Sequence, residues 1–329
     1  MPMKPETILG LSAKFMESRI FLTAAELDIF TLLIKHPMSA QEIADKIQVT
    51  LRGITILLNA LVPMGLLEKK DEKYYCPAEV AALLSKDSPT SIMPGVMLTV
   101  GGWKRWSDLT EIVRYGSQKT RPSVFDSSER EQETFIGAMH TIAYRLAPRI
   151  VAAIKPVAAK KLLDIGGGSG SYTQAFLEAY PDMKATLFDL PSVTRIAQTR
   201  LADTDLIDRV TFAAGDFYKD ELPAGHDLAL LSAIIHQNSP EQNIELYRKT
   251  YRALQPGGRL VIRDHVMSPD HTQPTRGAFF AVNMLVVTRE GSTYSFEEIK
   301  ASLESAGFTK INLIQPDEYM NGLVEGFKP

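Results

Sequence analysis

The chain has 329 residues, of which 45% are hydrophobic and 23% are charged, fractions that are ordinary for a globular protein with a sizeable core. Its net charge of -3 argues against a nucleic-acid partner, and its single cysteine, Cys76, excludes a disulfide or a cysteine-based metal site within one chain. The N-terminus lacks the apolar core of a signal peptide, and the most apolar stretch is too short to span a membrane. We therefore expect a cytoplasmic protein of two domains that does not act at a membrane.

The first part of the chain predicts amphipathic helices and one small ribbon. Apolar residues follow helical spacing in 8–35 and again in 54–61, and Ser39 with Glu42 forms a capping box that starts a helix between them. A β-ribbon and a further helix follow from about residue 68. Three helices and a ribbon in this order are the layout of a winged helix.

This layout has two interpretations. A DNA-binding regulator would place the helix that begins near Leu51 in a major groove, and that helix would need several Lys and Arg side chains to contact phosphates. The helix carries only Arg52 on an otherwise apolar surface. We therefore favour a module for packing or dimerisation.

After further helices over about 103–154, the chain alternates between short apolar strands and helices. The predicted strands after residue 170 are KATLFDL, RVTFAAGDF, HDLALLSAIIH, RLVIRD, FTKINLI and GLVEGFK. Such alternation predicts an α/β domain with a doubly wound, mostly parallel sheet whose ligands bind at the carboxyl ends of its strands. We expect the helical, winged-helix-like domain and its following helices to occupy 1–150 and the α/β domain to occupy 151–329.

The stretch 160–170, KKLLDIGGGSG, predicts a strand, a tight turn and the start of a helix. Glycines at such a junction allow positive φ and let a ligand approach the main chain, and the free N–H groups of the following helix favour a negative group. Glycine-rich turns also close ordinary βα units that bind nothing. Of the two interpretations, we favour a site for a nucleotide-like ligand.

Side chains that suit ligand binding or proton transfer follow the next predicted strands. In chain order they are Asp189, Asp216 with Phe217, His236, and Asp264 with His265. An acid at the end of the second strand can bond to ribose hydroxyls, and the acid and ring after the third can hold a base. Each residue alone could be a cap or a turn residue. Their common placement at strand ends is the stronger indication of a site.

With these residues, the chain resembles the S-adenosylmethionine-dependent O-methyltransferases of the caffeate and acetylserotonin type and their bacterial relatives. The resemblance covers nearly the whole length and rests on an ordered set of motifs: LDIGGGSG, LFDLP, GDF, the PxGxD segment at 223–227, the IIH segment, the QPGG turn and ESAGF. It implies a Rossmann-like, seven-stranded methyltransferase domain that binds S-adenosylmethionine. It also implies a homodimer formed through the winged-helix-like N-terminal domain.

The resemblance implies a cofactor role for each matching position. The cofactor-binding set is Asp164, Gly166, Gly168, Gly170, Asp189, Leu190, Asp216, Phe217 and Ser232. In this set the three glycines would surround the amino-acid end of the cofactor, Asp189 and Leu190 would meet the ribose, and the pair after the third strand would meet the adenine. Ser232 stands where the family often has a lysine or arginine.

The same resemblance implies a general base and its partner. His236 matches the family's base, and Asp264 falls where many relatives carry a glutamate that can orient the imidazole. His265 could compete as the base, but adjacent strand residues face opposite sides, so we expect Asp264 to face the site. A sulfonium methyl group is already electrophilic, so we expect no metal ion. The implied reaction moves a methyl group to a hydroxyl of a small aromatic or quinone-like acceptor.

The acceptor site in this family lies between long helices before the glycine turn and an insertion after the fifth strand. The residues that the resemblance places there are Phe135, Met139, Asn283 and Met284, with Trp103 and Trp106 as cover. Methionine and aromatic side chains suit a flat, apolar acceptor. The same side chains are also ordinary core residues.

Two departures from the family pattern keep other functions open. Relatives read HDW or a close variant at the base, whereas this chain has Gln237 and Asn238 after His236, and a second family glutamate falls on Thr293. A base with fewer acids nearby leaves methyl transfer to carbon, or a non-methylating use of the cofactor, as alternatives. The alternative from another class is a ligand-sensing regulator that binds DNA through the winged helix.

Overall fold

The structure is a computed structural model that describes residues 3–116, 129–156 and 158–329, and the side chains within these ranges except those of 129–131. The chain divides into two compact units, Met1–Trp103 and Lys104–Pro329. The sequence predicts the division near residue 150 instead, so the two placements differ by the helices that follow Trp103.

The first unit is helical apart from three short strands. Its elements are α1 (Pro5–Ala13), α2 (Phe15–Glu26), α3 (Ile29–Leu33), β1 (Met38–Ser39), α4 (Ala40–Ile47), α5 (Leu51–Leu61), β2 (Glu68–Lys70), β3 (Lys73–Tyr75), α6 (Ala78–Leu84) and most of α7 (Met93–Ser107). The strands form an antiparallel sheet in the order β1-β3-β2. The predicted capping box starts α4, with the Glu42 N–H donating to Ser39 Oγ.

The second unit alternates strands and helices. Its elements are α8 (Leu109–Tyr115), α9 (Glu129–Ile154), β4 (Lys161–Ile165), α10 (Ser171–Ala179), β5 (Lys184–Asp189), α11 (Pro191–Leu201), β6 (Val210–Ala214), β7 (His226–Ser232), α12 (Pro240–Ala253), β8 (Leu254–Asp264), β9 (Val266–Met267), α13 (Thr275–Val287), β10 (Tyr294–Ser295), α14 (Phe296–Ser305), β11 (Thr309–Gln315) and β12 (Gly322–Phe327). Short 3₁₀ turns lie at Ile207–Arg209 and Ile235–Gln237.

Seven of these strands form one sheet in the order β11-β12-β8-β7-β4-β5-β6. All neighbours are parallel except that β12 pairs antiparallel with both β8 and β11. The chain runs outward from β4 to β6 and then returns to place β7 beside β4. This change of direction is a topological switch point, and it opens a crevice at the carboxyl ends of β4 and β7. The predicted α/β fold with a seven-stranded sheet is confirmed.

Both faces of the sheet are covered. Leu162 of β4 packs in a cluster with Ile150 of α9 and Phe176 of α10, whereas the adjacent Leu163 packs on the other face in a cluster with Leu246 of α12. Because α9 contributes buried side chains to the sheet domain, the second compact unit includes α9 and begins before residue 150. In the described part of the chain, no helix combines the length and apolar composition needed to cross a membrane.

Truncating a side chain in the sheet core tests this packing. We expect Leu163→Ala to lower the free energy of unfolding by about 2–5 kcal/mol, because it leaves a cavity at a position that is 0% exposed. Leu313→Ala on β11 is the matched control, since that side chain is 41% exposed, and we expect a loss below about 1 kcal/mol. Urea unfolding followed by circular dichroism measures both, and equal losses would contradict the assignment of Leu163 to the core.

Candidate active site

The glycine turn after β4 has the backbone that a bound ligand needs. Gly166 has φ of +67°, and a Cβ atom there would lie 2.6 Å from Ile234 Cδ1, so only glycine fits. Gly168 has φ of +55°, but no atom lies within 4 Å of the position that its Cβ would take. Packing therefore does not account for the space in front of Gly168. Gly170 ends the turn as the N-cap residue of α10.

Asp189 at the end of β5 joins that strand to the glycine turn. Its Oδ2 accepts a hydrogen bond from the Gly168 N–H at 2.8 Å, and its Oδ1 accepts one from the Leu190 N–H at 2.7 Å. Burial raises the pKa of Asp189 to about 6, although both N–H groups act to lower it. Each oxygen uses one of its two lone-pair sites in these bonds, so the carboxylate can still accept hydrogen bonds from a ligand.

Asp164 lies beneath the same turn. Its carboxylate is buried and accepts a hydrogen bond from Thr173 Oγ1 of α10 at 2.6 Å. Burial raises the pKa of Asp164 to about 6, against the effect of this bond, and the nearby Asp189 raises it further. A Cβ atom at Gly167 would lie 3.1 Å from Asp164 Cγ. Asp164 therefore links the end of β4 to the first turn of α10.

The segment after β6 lies across from the turn. Phe217 Cε1 is 3.6 Å from the position that a Cβ would take at Gly166, so the ring faces the glycine turn. The Asp216 carboxylate accepts a hydrogen bond from the Tyr218 N–H at 3.0 Å and pairs with Lys219 at 2.9 Å. The structure thus brings Phe217 to the predicted cofactor site and holds Asp216 in a local turn beside it.

Ser232 ends β7 with a buried hydroxyl. It faces the hydroxyl of Tyr172, but neither oxygen makes a hydrogen bond of good geometry with the residues that the structure describes. Buried polar atoms without partners are rare in folded proteins and are typical of positions completed by water or a ligand. Ser232 therefore lies at the crevice edge with an unused hydrogen-bonding group.

The sequence predicts that His236 ends a strand, but in the structure it does not. β7 ends at Ser232, and Ala233 still donates its N–H to Arg263 O at 2.8 Å but has φ of +58°. This backbone conformation turns the chain out of the sheet and into the 3₁₀ turn Ile235–Gln237. The prediction of a strand up to His236 is therefore wrong, and the turn is what carries the imidazole.

His236 and Asp264 are brought together by this arrangement. His236 Nδ1 lies 2.8 and 2.9 Å from the two carboxylate oxygens of Asp264, which is buried at the end of β8. Burial acts to raise the pKa of Asp264, but the adjacent imidazole and the His265 N–H together hold it below its ordinary value. An ionised carboxylate only accepts hydrogen bonds, so we assign the proton to Nδ1, which leaves Nε2 as a proton acceptor.

Asn238 secures the turn that carries His236. Its Oδ1 accepts a hydrogen bond from the Tyr218 hydroxyl at 2.6 Å, and its Nδ2 donates to Asn243 Oδ1 at 2.9 Å. Asn243 in turn donates to Ile235 O at 3.0 Å, and the Tyr294 hydroxyl donates to Asn238 O. A residue that departs from the family pattern is therefore a buried link between the segment after β6, α12 and the 3₁₀ turn.

The acceptor side contains one residue that the sequence interpretation missed. Phe280 of α13 places its ring edge-on to His236, with centroids 4.9 Å apart and planes at 88°. It lies one helical turn before Asn283 and Met284, so helical spacing from these two predicted residues could have identified it. Asn283 accepts a hydrogen bond from Trp106 Nε1 at 3.1 Å, and Met284 is buried.

The two other predicted acceptor residues lie on α9. Phe135 and Met139 are partly buried and four positions apart, so they share one helix face. The next residue, His140, is 2.8 Å from Ser171 Oγ and 3.3 Å from Ser169 Oγ through its Nδ1, which attaches α9 to the glycine turn. Burial lowers the pKa of His140 to about 4, so it is neutral at physiological pH.

A cavity of about 510 Å³ lies on the other side of α9, next to α11. His140, Ser169, Arg195 and Arg200 are among its lining residues, and none of the described residues that line it belongs to the predicted acceptor set. Within 3–116, 129–156 and 158–329, no group of three or more His, Cys, Asp or Glu side chains is arranged to hold a metal ion.

Comparison with known proteins identifies the family of this site and fold. Residues 106–309 match the family model of the O-methyltransferase domain, and residues 9–87 match that of the O-methyltransferase dimerisation domain. The chain belongs to the O-methyltransferase family. The resemblance inferred from its motifs is therefore confirmed, and the protein is an O-methyltransferase.

Relatives of known activity cover nearly the whole chain. One is the tetracenomycin polyketide synthesis 8-O-methyl transferase TcmO of Streptomyces glaucescens, which is 31% identical over 93% of this chain and 92% of its own length. Another is acetylserotonin O-methyltransferase of Gallus gallus, which is 30% identical over 94% of this chain and 93% of its own.

Solved structures agree with the fold. The crystal structure of human N-acetylserotonin methyltransferase in complex with SAM has a TM-score of 0.88 and 25% identity, and the match covers 99% of this chain and 98% of that one. The structure of PigF with SAH has the same TM-score and identity, and the match covers 99% of this chain and 100% of that one.

Removing a single hydroxyl tests the link through Asn238. We expect Tyr218→Phe to lower the free energy of unfolding by about 1–3 kcal/mol, because the buried Asn238 Oδ1 loses its donor. Tyr115→Phe is the matched control, since Tyr115 is 79% exposed, and we expect a change below about 0.5 kcal/mol. Urea unfolding measures both variants, and a loss shared by the control would show that the Tyr218 hydroxyl has no special role.

Proposed function

We propose that the enzyme moves a methyl group from S-adenosylmethionine to a hydroxyl of a small aromatic or quinone-like molecule, with His236 as general base and without a metal ion. The observation that carries this proposal is the pairing of His236 Nδ1 with both oxygens of the buried Asp264. A base fixed in this tautomer, beside an aromatic side chain, suits removal of a proton from a phenolic hydroxyl.

As a member of the O-methyltransferase family, the protein uses S-adenosylmethionine as its cofactor. The residues at the crevice fit it. The open space at Gly168 admits a ligand to the main chain, and Asp189 can still accept hydrogen bonds from ribose hydroxyls. The Phe217 ring lies beside the turn and offers a face on which an adenine can pack. When bound there, the cofactor supplies an electrophilic methyl group.

The remaining chemistry falls to the protein's own side chains. Asp264 keeps the proton on Nδ1, so Nε2 of His236 is free to take the proton from the acceptor hydroxyl, and the carboxylate then stabilises the imidazolium that forms. Holding the acceptor oxygen in line with the methyl group lowers the barrier to transfer further. A proton acceptor and an activated methyl group are sufficient for the reaction, which supports a mechanism without a metal ion.

The acceptor class is supported by the surroundings of the base and by the relatives. Phe280 packs against His236, and Met284 and the bonded pair Trp106–Asn283 belong to the same region of α13. A relative from Streptomyces sahachiroi, 29% identical over 98% of this chain, is 3-hydroxy-5-methyl-1-naphthoate 3-O-methyltransferase. A flat, hydroxylated ring system is the acceptor that such a lining favours.

A homodimer formed through the N-terminal unit is part of the proposal. The dimerisation-domain match spans residues 9–87. Large apolar side chains of α1 and α2 are more than half exposed in the single chain: Ile8, Leu9, Leu11, Phe15 and Met16. Contiguous exposed apolar surface of this kind is typical of an interface between protein chains.

The direct test is incubation of the protein with S-adenosylmethionine and a panel of phenols, naphthols and hydroxyquinones. Mass spectrometry then detects S-adenosylhomocysteine together with an acceptor in which a methyl group has replaced the hydroxyl hydrogen, a gain in mass of one CH2 unit. We expect product that is unchanged by EDTA. Loss of product with EDTA, restored by a divalent cation, would refute the metal-independent mechanism.

Replacing the base tests its role. We expect His236→Ala to lower kcat/KM by about 100- to 10,000-fold, because no other group takes the acceptor proton, while the Kd for S-adenosylmethionine is retained. Steady-state formation of S-adenosylhomocysteine and calorimetric titration measure the two quantities. Turnover that is nearly unchanged would contradict the proposal and would point to a carbon acceptor or a non-methylating use of the cofactor.

The raised pKa of Asp189 gives a pH dependence of cofactor binding. The carboxyl is ionised above about pH 6 and protonated below it, so affinity for S-adenosylmethionine should be full above pH 6 and fall about tenfold per pH unit below. Calorimetric titration between pH 5 and 8 measures this. Asp189→Asn should bind weakly at pH 7.5 and lose the dependence. A dependence that persists in this variant would assign the titration to Asp164 instead.

A further inference from the structure

A second histidine–aspartate pair lies directly beside the first. His265 follows Asp264 in the chain, and its Nδ1 lies 2.5 Å from Asp317 Oδ2. Both side chains are buried, and Asp317 Oδ1 also accepts the N–H groups of Asn321 and Gly322 at 2.8 and 3.3 Å. β8 ends at Asp264, so His265 lies just beyond the strand, and the two adjacent side chains bond to different partners, His236 and Asp317. The established family assignment gives no role to the second pair.

Phe280 contacts both histidines. Its ring centroid is 4.9 Å from that of His236 and 5.0 Å from that of His265, so one aromatic side chain lies against the two imidazoles. A main-chain link also joins the pairs, because Asp264 Oδ1 accepts the His265 N–H at 2.8 Å while it bonds to His236. The position of His265 therefore affects the base through a ring contact and through a shared carboxylate.

The helix that carries Phe280 is fixed close to His265. A Cβ at Gly277 would approach Met267 Sδ to 2.4 Å and His265 Nδ1 to 3.4 Å, so α13 lies against β9 at a distance that only glycine allows. Arg276, in the first turn of α13, also attaches this helix to the segment at 317–321, because its guanidinium lies 4.2 Å from the centroid of the Tyr319 ring. The segment at 317–321 thus holds α13 and His265 together.

We propose that His265, held by Asp317, is a positioning residue for methyl transfer: it fixes Phe280 against His236 and so sets the orientation of the base toward the acceptor. This inference rests on the proposed role of His236. His265 has no proton-transfer role in this proposal, because its side chain is only 5% exposed, whereas that of His236 is 13% exposed. The alternative is a pair that only stabilises the fold, which would alter stability but not turnover of the folded enzyme.

The test uses variants that separate the ring from the hydrogen bond. His265→Asn keeps a side-chain donor toward Asp317 but removes the ring that contacts Phe280, and Phe280→Leu removes the other partner of that contact. We expect each to lower kcat by about 10- to 100-fold, because small displacements of a reacting group have effects of this size. The KM for S-adenosylmethionine should stay within about twofold of the parent value. Phe280→Tyr, which retains the ring, should restore most of kcat.

The double variant distinguishes positioning from independent roles. If both residues act through one contact, His265→Asn combined with Phe280→Leu should be no slower than the slower single variant. His271→Asn is the matched control, since His271 is 42% exposed and pairs with Glu298 at 3.2 Å on another surface, and kcat should not change. Circular dichroism melting shows whether each variant is folded at the assay temperature. If His265→Asn does not fold, the difference in kcat between Phe280→Leu and Phe280→Tyr tests whether the ring at position 280 orients His236.

Three results would overturn the proposal. Folded His265→Asn with unchanged kcat would make the pair purely structural. Effects that multiply in the double variant, together with loss of one ionisation from the pH profile of kcat/KM, would make His265 an acid or base in its own right. Unchanged turnover in His236→Ala would remove the base that His265 is inferred to position. In that case the proposed function fails as well, whereas an effect of His236→Ala without one of His265→Asn rejects this inference alone.

Discussion

The buried carboxylate of Asp264 is the group on which the arrangement around His236 depends. An ionised carboxylate inside a protein is costly unless hydrogen bonds and opposite charge compensate for the lost water. Asp264 receives hydrogen bonds from the His236 ring and the His265 main chain, and the positive charge of the nearby Arg263 also favours its ionised form. The same bonds fix the imidazole tautomer and tie the end of β8 to the 3₁₀ turn that follows β7. Asp264 bonds to His236 while the next residue, His265, bonds to Asp317, so the end of β8 and the residue after it connect the 3₁₀ turn with the segment at 317–321.

The pKa values of the buried acids at the crevice are shifted in opposite directions because their hydrogen-bond partners differ. Asp164 and Asp189 are also buried, but a hydroxyl and main-chain N–H groups are their donors, and burial raises the pKa of each to about 6. Asp264 faces an imidazole, and its pKa is lowered. Environments that separate the pKa values of neighbouring groups assign different chemical roles to them. The cofactor side therefore holds acids that can lose their charge in mild acid, whereas the base side keeps its carboxylate ionised.

The sequence was informative where a local pattern determines the geometry. Strand and helix alternation predicts the sheet, and the glycine run predicts the turn at Gly166 and Gly168. The sequence was less informative where distant segments meet. The contact of His265 with Asp317 joins residues that are 52 positions apart, and no periodicity in the sequence predicts it. The positive φ at Ala233 cannot be predicted in this way either, because alanine does not favour that conformation. The sequence therefore predicts a strand that continues to His236.

The departures from the expected family pattern after His236 coincide with hydrogen bonds that hold the turn carrying this residue. In place of the acid and large aromatic that the resemblance leads us to expect after the histidine, this chain has Gln237 and Asn238, and the atoms of Asn238 bond to the segment after β6, to α12 and to Tyr294. The resemblance leads us to expect a second acid at the position of Thr293, which is buried. Asp264 is the carboxylate that pairs with the imidazole, and packing against the ring also restrains its orientation. Asn238 below the turn and Phe280 against the ring supply such contacts, and the proposed support of Phe280 by His265 would restrain the same ring.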